Sequence, residues 1–189
     1  TDEFVKNLIS MDQQIGCDFY LGDRLPLHIR LMNYDELHGF KKTLRNIFFL
    51  GNFYWQIGAL KLIFKPYNSY ILSGEPYNIT TWLIMILAKI MNKETILWSH
   101  GYYGDETFLK RKVKKIFFNL STSVLLYGNR AKNIMISEGI RENKLFVIYN
   151  SLDYEKQLKV RAKLKPSDIF KNHFLNDFPT IIYVGRIQK

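Results

Sequence analysis

The chain has little that would staple it or arm it with ready-made chemistry. Its single cysteine, Cys17, excludes an internal disulfide and points weakly to a reducing compartment. His28, His38 and His173 lie in polar or loop contexts, and no His, Cys, Asp or Glu spacing fits a zinc set, so no metal is expected. There is no Walker loop and no Gly-x-Ser-x-Gly elbow, which removes support for P-loop nucleotide hydrolysis and serine hydrolase chemistry. Gly101-Tyr-Tyr-Gly104 is too loose for a dinucleotide fingerprint. No signal peptide, internal repeat or low-complexity tract is visible, and neither an aromatic RNA-binding strand motif nor a helix-turn-helix signature occurs.

What is present suits a globular chain. The 189 residues make one or two domains, 47% hydrophobic and 23% charged, enough for a sizeable core. Richness in Lys, Ile, Asn, Phe and Tyr matches an AT-rich bacterial genome. Net charge is +10, which favours anionic partners. Lys110, Arg111, Lys112, Lys114 and Lys115 crowd into six residues, and Leu109, Val113, Ile116, Phe117 and Leu120 recur at helical spacing opposite them. This basic amphipathic helix reads first as core-facing with a solvated cationic side. A membrane-surface helix meeting anionic lipid is the sharper reading, and nucleic-acid binding the remainder.

Along the chain, Thr1-Asp2-Glu3 reads as the capped start of a helix over 2–11, whose preceding strand is missing. Strands are expected over 17–21 and 27–31. Residues 44–64, with Phe48, Phe49, Phe53, Tyr54 and Trp55, read as a long buried or interfacial helix. Asn52, Gln56 and Lys61 interrupt it as a membrane span. A regular alternation then begins: strand 69–72, helix 80–91, strand 94–98, helix 107–120, strand 123–127, helix 130–138 stopped by Gly139, and strand 145–149. Short continuous apolar strands alternating with helices predict an α/β fold, a Rossmann-like parallel sheet with helices on both faces. Residues 154–178 read as a linker with some helix. Thr180–Val184 reads as one more buried strand, running into Gly185-Arg186.

Ligands of open parallel sheets bind beyond the carboxyl ends of the strands. The pattern places Glu75, His100, Asn129 and Asn150 there, on one rim. Glu75 also reads as a solvated turn residue before Pro76. His100, of the residue type that titrates near neutrality, also reads as a structural donor to backbone. Asn129 also reads as a helix cap, Asn150 and Asp153 as turn formers, and Arg186 as either an ordinary ion-pair partner or a phosphate grip.

Three segments together resemble retaining glycosyltransferases of the GT-B fold, in particular glycosyltransferase family 4: Leu97-Trp-Ser-His-Gly101, Leu145-Phe-Val-Ile-Tyr-Asn-Ser-Leu-Asp153 and Ile182-Tyr-Val-Gly-Arg-Ile187. The likeness covers most of 65–189, although Tyr149 stands where the family has proline and Ser151 where it has glycine. It implies a Rossmann-like acceptor-side domain over 1–153, an interdomain linker over 154–178, and the first strand of a truncated donor domain over 179–189. It further implies transfer of a sugar from a nucleotide-diphosphate sugar to a saccharide or lipid-linked acceptor with retention, without a cofactor or metal. By the resemblance, His100 lies near the transferred sugar and Arg186 on the leaving diphosphate. Glu75 and Tyr77 form acceptor surface. The implied location is cytoplasmic, with peripheral contact to the membrane's inner face through the 110–115 cations. Alone, this half is expected to be inactive and to self-associate through open sheet edges. A GT-B nucleotide-sugar epimerase and a non-catalytic membrane-surface module remain as alternatives.

Overall fold

The computed structural model describes residues 16–24, 31, 33–34, 37, 39–149, 154–165, 168–175 and 178. The expected helix over 2–11, most of the expected strand over 27–31 and the expected strand over 180–184 lie outside them. The chain divides into two compact units, Thr1–Leu152 and Asp153–Lys189.

The first unit is α/β. Its main sheet has four parallel strands in chain order: β5 (Ser69–Ser73), β6 (Glu94–Ser99), β7 (Ser123–Leu126) and β8 (Leu145–Val147). The crossovers carry helices α1 (Ile79–Ile90), α2 (Phe108–Leu120) and α3 (Asn129–Ser137). This arrangement is compatible with a Rossmann-like fold. Asn78 caps α1, its side chain accepting from the Thr80 amide at 3.1 Å. Gly139, at φ 85°, ends the α3 region as its sequence position suggests.

Register fixes which side chains form the core. Leu72, Leu97, Val124 and Leu145 stand level across the sheet, and Leu126 sits beside Ser99. On this face Met85 of α1, Phe117 and Phe118 of α2 and Met135 of α3 close over Leu97, Val124 and Leu126. A second cluster joins Tyr70, Ile84 and Ala88 to Ala59 and Ile63 of a 3-10 turn over Ala59–Phe64. Among the described residues, the apolar side chains that α1–α3 bury gather on this face, while buried Thr80 accepts from the Gln56 amide. Helices on both faces are not shown by the described residues: on the opposite face Ile71 and Phe146, in the edge strands, are each 51% exposed, while Ile96, Trp98 and Leu125 between them are partly buried.

Residues 44–64 depart most from the reading as one helix. Leu44 ends β2 (Phe40–Leu44), which pairs in parallel with β1 (Phe19–Gly22). Strands β3 (Asn46–Phe49) and β4 (Phe53–Gln56) form an antiparallel hairpin. Two features favour the hairpin over a helix. Leu50 and Gly51 both take positive φ, 44° and 78°, at the turn. The aromatics then pair across strands, with the Phe48 and Tyr54 rings 5.2 Å apart.

The basic helix is also turned differently from expectation. Of its expected core stripe, Phe117 is buried, together with Phe118. Leu109, Val113 and Ile116 face outward. Two of the five clustered cations are engaged in ion pairs, Lys114 largely enclosed and Arg111 still partly exposed. Arg111 pairs with Glu138 at 3.0 Å, and Lys114 pairs with Glu106 at 2.6 Å. At the foot of the sheet, Lys144 is buried and donates to the Phe118 and Asn119 carbonyls (3.1 and 3.2 Å), satisfying the end of α2. Burial first, then the Arg141 and Lys89 charges, lower its pKa to about 8.

The second unit contains α4 (Tyr154–Lys163) and α5 (Ile169–Phe174). No described helix is long and apolar enough to cross a membrane.

Candidate functional site

The carboxyl ends of β5 and β6 are tied together by close backbone approach. The Gly74 amide donates to the Trp98 carbonyl at 2.9 Å. Ser99 Oγ donates to the Gly74 carbonyl at 2.9 Å and accepts from the Gly101 amide at 3.0 Å. Gly101 turns at φ 71°, an angle that favours glycine, and a Cβ there would press on Leu126, Met135 and Ala131 at 3.0–3.3 Å. Ser99 therefore holds both loops of the rim, and His100, between Ser99 and Gly101, is left exposed.

The His100 ring rests against Tyr127 at 4.5 Å and stacks with Tyr103 at 6.2 Å. Glu75 keeps solvent access but sits where desolvation raises its pKa, against the opposing pull of His100 and Lys114. Burial raises the pKa of both Tyr103 and Tyr127, and the Glu75 charge raises each further. The result is a largely exposed surface cluster of one carboxylate, one imidazole and two phenols.

The loop that carries Tyr103 is braced from α2. Lys114 Nζ donates to the Gly101 carbonyl at 3.1 Å and to Glu106 Oε1 at 2.6 Å, and it lies 5.1 Å from the Tyr103 ring centroid. The Glu106 oxygens accept from the Tyr103 and Gly104 amides at 2.8 and 3.0 Å. The loop between β6 and α2 is thereby held by a pair whose carboxylate side chain is only 5% exposed.

The expected rim residues are only partly brought together. Glu75 and His100 converge. Tyr77 turns to the hairpin, its ring edge-on to Phe53 at 5.3 Å. Asn129 does not cap α3: Gly128 holds the cap position, and Asn129 Nδ2 donates to Tyr149 Oη at 3.1 Å. Tyr149 itself takes a left-handed φ of 57°. Asn150 and Arg186 lie outside the described residues. Lys110, Lys112 and Lys115 remain exposed, while Arg111 and Lys114 serve the internal pairs already described.

Sequence reasoning missed Tyr103, Tyr127, Ser99 and the Lys114–Glu106 brace. A signal existed for Tyr127, since aligning β6 with β7 through Ser99 and Leu126 sets Tyr127 level with His100. The remaining contacts come from chain folding rather than spacing. Among the described residues no three His, Cys, Asp or Glu side chains gather as metal ligands. No protein-family model, curated protein or solved structure matches the chain.

Proposed function

We propose that the first unit is the acceptor-side half of a retaining glycosyltransferase of GT-B type. The complete protein moves a sugar from a nucleoside-diphosphate donor to a saccharide or lipid-linked acceptor. The observation that carries this reading is the side-chain cluster at the carboxyl ends of β5 and β6, where His100 and Glu75 gather with the Tyr103 and Tyr127 rings. Saccharides are bound by such sets, in which ring faces cover apolar sugar faces and directional polar groups read the hydroxyls.

In this reading His100 hydrogen-bonds a hydroxyl of the transferred sugar, and Glu75 accepts from an acceptor hydroxyl. The raised pKa of Glu75 makes it a stronger proton acceptor than an ordinary carboxylate. Arg186 offsets the charge that grows on the departing diphosphate. The Lys114–Glu106 brace positions the loop bearing Tyr103.

The test has two parts. Amide and imidazole NMR shifts of this chain, titrated with oligosaccharides, should move at Glu75, His100, Tyr103 and Tyr127. In the complete gene product, screened with nucleotide sugars, His100→Ala should lower kcat/KM about 100-fold. Saccharide-induced shifts confined to other surfaces, or a His100→Ala enzyme as fast as wild type, would sink the reading.

A further inference from the structure

The outward faces of α1 and α2 form one surface. Both helices lie on the same face of the sheet, and they touch through the Trp82 and Phe117 rings, 4.9 Å apart. Their exposed sides therefore look the same way, away from the strands. Along α1 this side carries Leu83, Ile86 and Ile90, and along α2 it carries Leu109, Val113 and Ile116. Each set follows helical spacing, so each is a continuous stripe. The exposure is large: Ile90 is 74%, Leu109 71% and Ile116 59% exposed, and Phe108 at the head of α2 is 73% exposed.

A monomer in water gains nothing from two adjacent bare apolar stripes, so they point to a partner. Charge identifies it. Neither helix contains an acidic residue. Lys110, Lys112 and Lys115 stay exposed beside the α2 stripe, and Lys89 beside that of α1. Lys112 Nζ sits 4.4 Å from the centre of the Phe108 ring, a cation held beside an exposed aromatic. A second copy of the chain would bring two acid-free, lysine-bearing surfaces face to face on molecules of net charge +10.

We infer that the α1–α2 face docks on an anionic lipid bilayer. The apolar stripes enter the boundary between headgroups and acyl chains, and the lysines reach lipid phosphates. The internal pairs support this division of labour. Glu106 and Glu138 pair with Lys114 and Arg111, and the three other cations are left for the membrane. Docking this way also brings the exposed cluster of Glu75 and His100 toward the bilayer, because α2 leads directly out of the loop carrying Tyr103 and Glu106. The inference stands apart from the sugar-transfer reading, although it would deliver that site to a lipid-linked acceptor.

Flotation with vesicles of phosphatidylcholine, with and without phosphatidylglycerol, tests it with no saccharide present. Failure here therefore leaves the sugar-transfer reading untouched. The chain should float with the anionic vesicles and be released by added salt. The triple variant Lys110→Glu, Lys112→Glu, Lys115→Glu should bind about 100-fold more weakly, as three lysines each lose about fivefold. Leu109→Ser with Ile116→Ser should lose a comparable amount. Both variants change only exposed side chains, so their thermal unfolding midpoints should match wild type. Absent flotation of the wild type, equal flotation with neutral vesicles, or unchanged binding of both variants would overturn the inference. So would a dimer in sedimentation equilibrium that the Leu109→Ser, Ile116→Ser variant dissolves while wild type ignores vesicles, because a second copy would then own the face.

Discussion

Glu106→Gln is expected to lower the unfolding free energy at neutral pH by about 3 kcal/mol, the cost of taking one member from an enclosed, hydrogen-bonded ion pair. The carboxylate receives Lys114 Nζ and the Tyr103 amide on one oxygen and the Gly104 amide on the other. A glutamine can accept on one side only, and its own NH2 would face a donor. With its oxygen toward Lys114 the NH2 would face the Gly104 amide, and turned the other way it would leave the largely enclosed Lys114 with only the Gly101 carbonyl. The same pair predicts how stability depends on acid. Burial raises the pKa of Glu106, but Lys114 and the two amides outweigh it and hold the folded-state pKa at about 2, against an ordinary 4.5. A carboxylate depressed in the folded state stabilises fully above the ordinary value and loses that contribution as pH falls toward 2. Wild type should therefore weaken between those limits, and Glu106→Gln should weaken less. Urea unfolding at a series of pH values measures both effects. Equal acid limbs for the two proteins would refute the assignment. Adding Lys114→Met to Glu106→Gln should recover part of the loss, because no charge then stays enclosed without its partner.

Gly74→Ala is expected to cost about 2–3 kcal/mol and to disturb the rim as well. A methyl at Gly74 would collide with Ser99 Cβ and lie 2.8 Å from the Trp98 carbonyl oxygen and 3.0 Å from Ser99 Cα. These are backbone and near-backbone atoms of the neighbouring strand, with no flexible side-chain end to yield. The strands would have to part where the Gly74 amide donates to the Trp98 carbonyl and Ser99 Oγ donates to the Gly74 carbonyl. His100 follows Ser99 directly, so its ring should lose its place against Tyr127, visible as a change in the imidazole proton shifts. Gly128→Ala is the control. A methyl there meets nothing within 4 Å, and the loss should stay below about 1 kcal/mol. If Gly74→Ala unfolds at the same urea concentration as Gly128→Ala, the close approach is not what requires glycine.

The main sheet was legible because its strands are short apolar runs separated by helical periods, with Gly and Asn at the joins. Glu75 and His100 followed from it, since any side chain just past a parallel strand stands on the ligand-facing rim. Tyr127 did not, because a ring beside His100 depends on which residue of β7 faces Ser99. The hairpin over Asn46–Gln56 was misread for a different reason. A dense run of aromatics satisfies helix and strand periods about equally, and the positive φ of Leu50 and Gly51 that turns the chain leaves no mark on either period. Helix α2 shows a third limit. Its sequence offers overlapping apolar stripes, and period alone cannot say that Phe117 and Phe118 go inward while Leu109, Val113 and Ile116 go out. Lys114 looked like one more member of a charge run until its tertiary partners were known.

The order of the main sheet bears on how the chain is made. Ser69 pairs with Glu94, Ile96 with Ser123 and Val124 with Leu145, so every strand after the first joins the one synthesised just before it. None waits for a distant segment. Each strand–helix–strand unit can be added as it leaves the ribosome, and the loop to be closed stays short at each step. The hydrophobic face over β5–β8 is therefore covered progressively during translation, and the interval in which a half-made sheet can meet another nascent chain is brief.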